Sequence, residues 1–172
     1  MNTDMILDDF KKREEERKAN RKGADEQAKK KWLNQIYQFD QCARDNILPA
    51  AGKIERVVRS KNLYAEVDVS SSLIPESEKQ RDYIKSVRFY FSLKEEISSE
   101  NKHNLLHVYY LEFRSADQGK ILFETHIAPP GRGGLSNKNL FDLNEIKTEF
   151  VTSLLNQFIG DAVRYYESKS RG

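Results

Sequence analysis

Two glutamates and a histidine have the residue types and the spacing of a candidate metal site or acid and base pair. Glu124 and His126 are two residues apart in an alternating stretch, so both side chains lie on one face of a strand. A hairpin turn at residues 116–120 would place Glu112 on the neighbouring strand. A histidine and carboxylates on adjacent strands can converge on one metal ion or act as an acid and base pair. These residues carry one hypothesis, a metal-dependent hydrolase.

The rest of the chain gives that hypothesis little support. It has three histidines in all, no nucleophile elbow, no zinc-ligand spacing and no cofactor-binding loop. The single cysteine, Cys42, excludes an intrachain disulfide and a cysteine-based zinc site, and we interpret it as a small structural residue. We therefore expect a protein that is not an enzyme and that holds no metal and no cofactor.

Tyrosines and arginines on the same predicted sheet face carry a second hypothesis. Tyrosine rings stack on unpaired bases and arginines bind the phosphate backbone, which predicts a single-stranded nucleic-acid-binding module. Carboxylates on the same face count against it because they would repel phosphate. The candidate binding residues are Tyr64, Arg88, Tyr90, Tyr110 and Arg114, with Arg132 in a neighbouring loop.

The stretch "IAPPGRGGLSNKNLFDLNE", residues 127–145, contains a glycine-rich segment that resembles a phosphate loop only superficially. Such a loop runs directly into a helix and supplies a lysine and a hydroxyl to the phosphates. Here seven residues separate the glycines from the predicted helix, and Asp142 and Glu145 would repel an anion at its N-terminus. We interpret residues 128–140 as a strand-to-helix loop, tipped by Arg132, that could contact a partner.

A mixed-charge sheet face is usual for a solvated antiparallel sheet, so cross-strand ion pairs are the preferred interpretation of the polar residues. Leu106, Val108 and Leu122 are predicted to point the same way. An apolar strip on that face suggests that the N-terminal helix or a second subunit covers it.

These observations predict a non-enzymatic adaptor or assembly component that binds other proteins. Its contacts are expected through a charged N-terminal arm, the polar sheet face and the 128–140 loop. The expected partner is a protein. A second copy of the chain and a nucleic acid are the alternatives, and no membrane is expected. With 29 basic and 27 acidic residues the net charge is only +2, so no overall field would recruit an anionic partner.

The N-terminal arm is residues 1–31, which contain many helix formers and few apolar residues. Opposite charges lie at helical spacing, which favours a solvated helix laced with salt bridges over a basic tail. The first ten residues carry acids where a secretory signal needs basic residues, and no apolar run is long enough to span a bilayer. A cytoplasmic location is expected.

The remaining elements predict one α+β domain over residues 32–168, followed by a tail at 169–172. Apolar residues at helical spacing from Trp32 predict a helix over 32–60, kinked at Pro49. Asp142 and Glu145 form a capping-box pattern that predicts a helix over 142–168, packed on the apolar face of the sheet.

Four antiparallel strands are predicted to form a meander between the helices, near 63–70, 84–93, 105–114 and 120–127. The turn "ADQGK" would place Ala116 opposite Lys120, with a glycine in the left-handed conformation. That register puts Phe113 opposite Phe123 on the apolar face. The connections after the first and second strands are polar and are predicted to be surface loops.

Overall fold

The computed structural model describes residues 2–77, 79–94, 97–103, 108–127 and 135–170. Arg132 and residues 128–134 of the predicted loop lie outside these ranges. The chain begins with helical segments: α1 spans Thr3–Cys42, a π-helical stretch spans Ala43–Ile47, and α2 spans Leu48–Ser60.

The predicted break at Pro49 takes the form of the π-helical stretch just before it. Pro49 lies in the first turn of α2. A proline has no N–H to donate to the carbonyl four residues earlier, and its ring crowds that carbonyl, so the preceding turn is widened to the π pattern.

The chain divides into two units, Met1–Asn34 and Gln35–Gly172. In the first unit every residue from 2 to 32 is exposed except Glu14, which is half-buried. Trp32 was predicted to begin the buried stripe and is instead 46% exposed. The fully buried positions begin at Phe39. The prediction was wrong here because helical spacing does not show where along a long helix the packing partner begins.

The sheet has five antiparallel strands in the order β1-β2-β3-β4-β5, so the prediction of four was wrong. The fifth strand pairs with β4 along its whole length and was predicted as part of the 128–140 loop. Most of its residues are polar and exposed because it lies at the sheet edge, although Phe141 packs against the core. The strands are β1 Tyr64–Leu73, β2 Asp82–Ser92, β3 Tyr109–Ala116, β4 Lys120–Ile127 and β5 Leu135–Asp142.

The predicted register of the β3–β4 hairpin is confirmed. Ala116 lies opposite Lys120, and Phe113 lies opposite Phe123. The turn differs in one detail, since Gln118 as well as Gly119 has a positive φ, at 61° and 68°. Two consecutive left-handed residues still reverse the chain without shifting the pairs, so the apolar alternation of both strands keeps its face.

The C-terminal helix α3 spans Thr148–Ser170, six residues later than the predicted start at Asp142. The capping-box contact exists, with the Asp142 N–H donating to Glu145 Oε2 at 2.8 Å, but it closes a short 3₁₀ turn at Leu143–Glu145. Pairing of Asp142 with Lys120 holds that residue in β5, which delays the helix.

Helix α3 contributes to one hydrophobic core with α2 and the apolar face of the sheet, as the α+β prediction requires. Phe158 makes edge contacts with Phe89 and Phe91, at ring-centroid distances of 6.4 and 6.5 Å. Tyr109 makes a similar contact with Tyr165. The opposite sheet face carries the polar residues. Within the described ranges, no helix is both long enough and apolar enough to cross a membrane.

Candidate functional site

The polar sheet face is organised in rows that run across the strands. The alternation of each strand and the antiparallel register bring the predicted residues of one row side by side. The central row pairs Asp68 with Arg88, Arg88 with Glu112, Glu112 with Glu124, and Glu124 with Lys138. The structure therefore groups Arg88 with carboxylates, and Arg114 reaches Glu124 from the neighbouring row, as the ion-pair interpretation predicts.

Arg88 is held by contacts inside the protein. Its Nη2 lies 3.2 Å from Glu112 Oε1, and its Nη1 donates to the Tyr90 hydroxyl at 3.2 Å. Its guanidinium lies 4.4 Å from the centroid of the Tyr110 ring. Burial would lower the pKa of Arg88, but the bond to Tyr90 and the charge of Glu112 raise it, so the group stays charged.

The three candidate tyrosines are engaged to different degrees. Tyr90 is only 2% exposed. Tyr110 is half-buried and stacks on His126, with the ring centroids 4.4 Å apart. Tyr64 is half-buried and donates to Glu66, and burial together with that bond raises the pKa of Tyr64. None of the three presents a free ring face comparable to a stacking platform, because each ring is covered or packed.

Glu124 sits beside two cationic side chains and a histidine. Arg114 Nη2 lies 3.3 Å from Glu124 Oε2, while His126 Nε2 and Lys138 Nζ lie 3.1 and 3.8 Å from Oε1. Its neighbour Glu112 is paired with Arg88. Positive side chains in these positions oppose a bound cation. Among the described residues, no cluster of three or more histidine, cysteine, aspartate or glutamate side chains has the geometry to hold a metal.

Residues 97–103, in the connection between β2 and β3, pack on the polar face. Ile97 and Val108 form a small hydrophobic cluster with Tyr90, against which Tyr64 and Tyr110 also pack. The His103 ring contacts Tyr90 edge-on at 6.1 Å. The connection was predicted as a polar surface loop, and that was wrong for Ile97.

Lys102 of this connection was also predicted to lie at the surface, and it is instead only 9% exposed. Its Nζ lies 3.1 Å from Glu66 Oε1 and 3.3 Å from Asp68 Oδ2, and 5.0 Å from the centroid of the Tyr90 ring. Burial would lower the pKa of Lys102, but the hydrogen bonds to the two carboxylates raise it. The chain itself therefore supplies a cover for this part of the face, where the sequence suggested the N-terminal helix or a second subunit.

A cleft of about 600 Å³ lies elsewhere in the second unit, between the π-helical stretch and the end of β5. It is lined mainly by amides and charged groups, among them Gln41, Asp45, Asn46 and Lys147. Cys42 at its wall is buried, its Sγ is 3.7 Å from the Ile146 carbonyl oxygen, and burial raises the pKa of the thiol. A buried thiol with a raised pKa is a poor nucleophile, which agrees with a structural role.

The first unit carries exposed apolar residues that the sequence interpretation overlooked. Met5, Ile6, Leu7 and Phe10 are 64%, 48%, 52% and 53% exposed. Their helical spacing of one, three and four residues was a usable signal, because it places Ile6, Leu7 and Phe10 on one side of the helix. The buried Lys102 and the paired Lys138 were also missed, since nothing in their local sequence marks a partner.

Comparison of the chain with family models, curated proteins and solved structures gave no match. Its function has to be inferred from the residues themselves.

Proposed function

We propose that the protein is a non-enzymatic adaptor or assembly component that binds another protein through its N-terminal arm. The observation that carries this proposal is the exposure of Met5, Ile6, Leu7 and Phe10 on one end of a helix. Large apolar side chains in contiguous exposed positions are typical of binding surfaces. A helix that lays such residues into a groove of another protein is a common mode of recognition.

The charged remainder of the arm supports the same proposal. Every residue from 2 to 31 is exposed except Glu14, so this part of α1 buries no apolar face that would explain its length. Its ion pairs, Asp9 with Arg13 and Glu14 with Arg17, are local pairs of a solvated helix. Such pairs stabilise a helix only modestly. A partner that covers the apolar end would add the missing burial.

The polar sheet face supports a binding role less well. Arg88 and Arg114 are paired with Glu112 and Glu124, and residues 97–103 cover the ring of Tyr90. A nucleic-acid backbone would have to compete with these carboxylates for the arginines. The arm carries no such internal competition for its apolar residues, so the proposal rests on the arm.

The proposal is tested by co-purification from cells that naturally make the protein. Full-length tagged chain is compared with Ile6→Glu/Phe10→Glu, and bound proteins are identified by mass spectrometry after nuclease treatment. We expect a protein that is captured by the wild type and lost in the variant, because two charges on the apolar end cannot be buried without a large desolvation cost.

A matched control places charges on exposed apolar residues outside the arm. Val57→Glu/Leu140→Glu changes side chains that are 52% and 58% exposed. We expect this control to capture the same protein as the wild type. Capture that survives Ile6→Glu/Phe10→Glu, or that the control abolishes, would move the binding surface off the arm and overturn the proposal.

A further inference from the structure

The charges of the N-terminal arm are divided between its two halves. Residues 2–16 contain six acidic and three basic side chains, a net charge of −3. Residues 17–31 contain seven basic and two acidic side chains, a net charge of +5. All of these charged residues belong to helix α1, so the arm carries an acidic first half and a basic second half.

The apolar residues of this helix are also divided between its ends. Ile6, Leu7 and Phe10 lie near its start. Ala24, Ala28 and Trp32 lie about five turns later on the same side, because 18 residues make five turns of an α-helix and return to the same azimuth. The six positions fall within an arc of roughly 100°, the width of an ordinary packing stripe. The middle of that arc is charged, since Glu14, Arg17, Arg21 and Asp25 lie in it between the two apolar ends.

We infer that the arm binds the arm of a second copy of this chain in an antiparallel pair. The acidic half of each helix then lies beside the basic half of the other, whereas a parallel pair would place like charges together. The alignment that sets Phe10 beside Ala28 also sets Ile6 beside Trp32. The first pair joins a large residue to a small one, and the second joins two large apolar residues.

The same alignment brings opposite charges to equal levels along the helix axis. Asp8 lies level with Lys30, and Asp9 level with Lys29. These side chains project from the flanks and outer sides of the two helices, so they attract across the pair without direct contact. The unfavourable region is the centre, where Arg17 of each copy meets Arg21 of the other, so four arginines lie close together. Arg17 Nη1 already lies 2.8 Å from Glu14 Oε1 of its own helix, which offsets part of that repulsion.

This inference rests on the proposed function, since the arm is the binding element in both, and it names a second copy as the partner. Its first test is sedimentation velocity of the purified full-length chain at low and high salt. We expect a dimer whose affinity falls as salt rises, because exposed charges are screened. A monomer at every salt concentration would overturn the inference.

Charge reversal tests which residues hold the pair. Reversing either end alone makes both halves the same sign, and we expect the affinity to fall at least about tenfold. Reversing both ends restores opposite halves, and we expect affinity to return toward the wild-type value. That recovery also shows that the single variants did not lose affinity by misfolding. The basic-end variant is Lys29→Glu/Lys30→Glu/Lys31→Glu, and the acidic-end variant is Asp4→Lys/Asp8→Lys/Asp9→Lys.

A matched control reverses three exposed lysines outside the arm and changes the net charge by the same amount as the basic-end variant. Lys53→Glu/Lys61→Glu/Lys85→Glu should leave the dimer affinity within about twofold of the wild type. An equal loss in this control, or no recovery in the doubly reversed chain, would show that net charge and not the pairing of halves governs association, and would refute the inference.

Disulfide trapping tests the direction of the two helices. In a Cys42→Ala background, chains with Glu14→Cys are mixed with chains with Ala24→Cys and oxidised. We expect the mixture to give a linked dimer and each variant alone to give none, because positions 14 and 24 are level only in the antiparallel pair. Linkage of Glu14→Cys with itself would show a parallel pair and overturn the inference.

The outcomes separate this inference from the broader proposal. A monomeric chain that captures a different protein through Ile6 and Phe10 would refute self-pairing and leave the adaptor proposal standing. A dimer that is insensitive to every change in the arm would refute self-pairing through the arm. If Ile6→Glu/Phe10→Glu also captures every partner that the wild type captures, the adaptor proposal fails independently.

Discussion

Lys102 Nζ lies 3.1 Å from Glu66 Oε1, which joins the connection between β2 and β3 to the first strand of the sheet. Glu66 also accepts hydrogen bonds from Tyr64 and from the Ser99 hydroxyl, the latter at 2.8 Å. Two residues of the connection thus bind one carboxylate on β1. Their contact explains why Tyr90, which lies beside Glu66 in the register, is almost fully buried.

The first prediction concerns the contribution of this contact to stability. Lys102→Met keeps much of the side-chain length and removes the ammonium group. We expect the free energy of unfolding in urea to fall by about 1–2 kcal/mol, because a charge-assisted hydrogen bond on a largely covered face is lost. Lys85→Met, at an exposed lysine, is the control and should change stability by no more than about 0.5 kcal/mol. Equal effects of the two changes would contradict a specific role for Lys102.

The second prediction concerns pH. Burial would raise the pKa of Glu66, but hydrogen bonds from Tyr64, Ser99 and Lys102 outweigh it and the pKa is lowered. A carboxyl group with a lowered folded pKa stabilises the fold above its unfolded pKa of about 4.3, and this stabilisation is lost as pH falls through the folded pKa.

We therefore expect the stability difference between the wild type and Glu66→Gln to shrink on acidification below about pH 4.3. Urea unfolding at a series of pH values measures it. Glu76→Gln, at an exposed position, serves as the control whose difference from the wild type should stay small at every pH. A difference for Glu66→Gln that is constant with pH would show that its charge does not stabilise the fold.

Sequence patterns were sufficient where two independent signals agreed on one structure. The turn around Gly119 and the alternation of β3 and β4 fixed the same register independently, and it was correct. The fifth strand gave no such signal. Asn137 and Asn139 face the core side of the sheet but are exposed, so β5 has no buried row to produce an apolar alternation.

Buried charges are the other group that the sequence could not predict. Asp40 has no exposed surface, although a charged residue beside the apolar stripe of a helix is ordinarily expected at the surface. Its carboxylate accepts from the Ile84 N–H at 2.9 Å and from Arg81 Nη2 at 2.9 Å, both about 40 positions away in sequence. Burial of a charged side chain depends on such hydrogen-bond donors, and the residues around Asp40 in the sequence do not show which distant residues will supply them. Lys102 follows the same rule, since its partners Glu66 and Asp68 lie on β1, far away in sequence.

The third prediction tests the nucleic-acid alternative. We expect no salt-dependent binding of mixed-sequence single-stranded oligonucleotides tighter than about 10⁻⁴ M, because Arg88 and Arg114 are already paired with glutamates. Fluorescence anisotropy at low salt measures this. Binding by the wild type that disappears in Arg88→Glu/Arg114→Glu, and persists in Lys53→Glu/Lys61→Glu, would reinstate the alternative.

The last prediction tests the hydrolase hypothesis through His126. Its Nε2 lies 3.1 Å from Glu124 Oε1 and its ring stacks on Tyr110, contacts that a structural histidine makes. We expect His126→Ala to change the free energy of unfolding by no more than about 1 kcal/mol, the usual size of a modest polar contact. We also expect isothermal titration calorimetry with zinc to detect no site of one ion per chain that the variant loses. His103→Ala, at an exposed histidine, is the control for nonspecific zinc binding. One bound ion per chain that is lost in His126→Ala and kept in His103→Ala would overturn the structural role of His126 and support a metal site. Arg114 and Lys138 would then have to leave Glu124 when the ion binds.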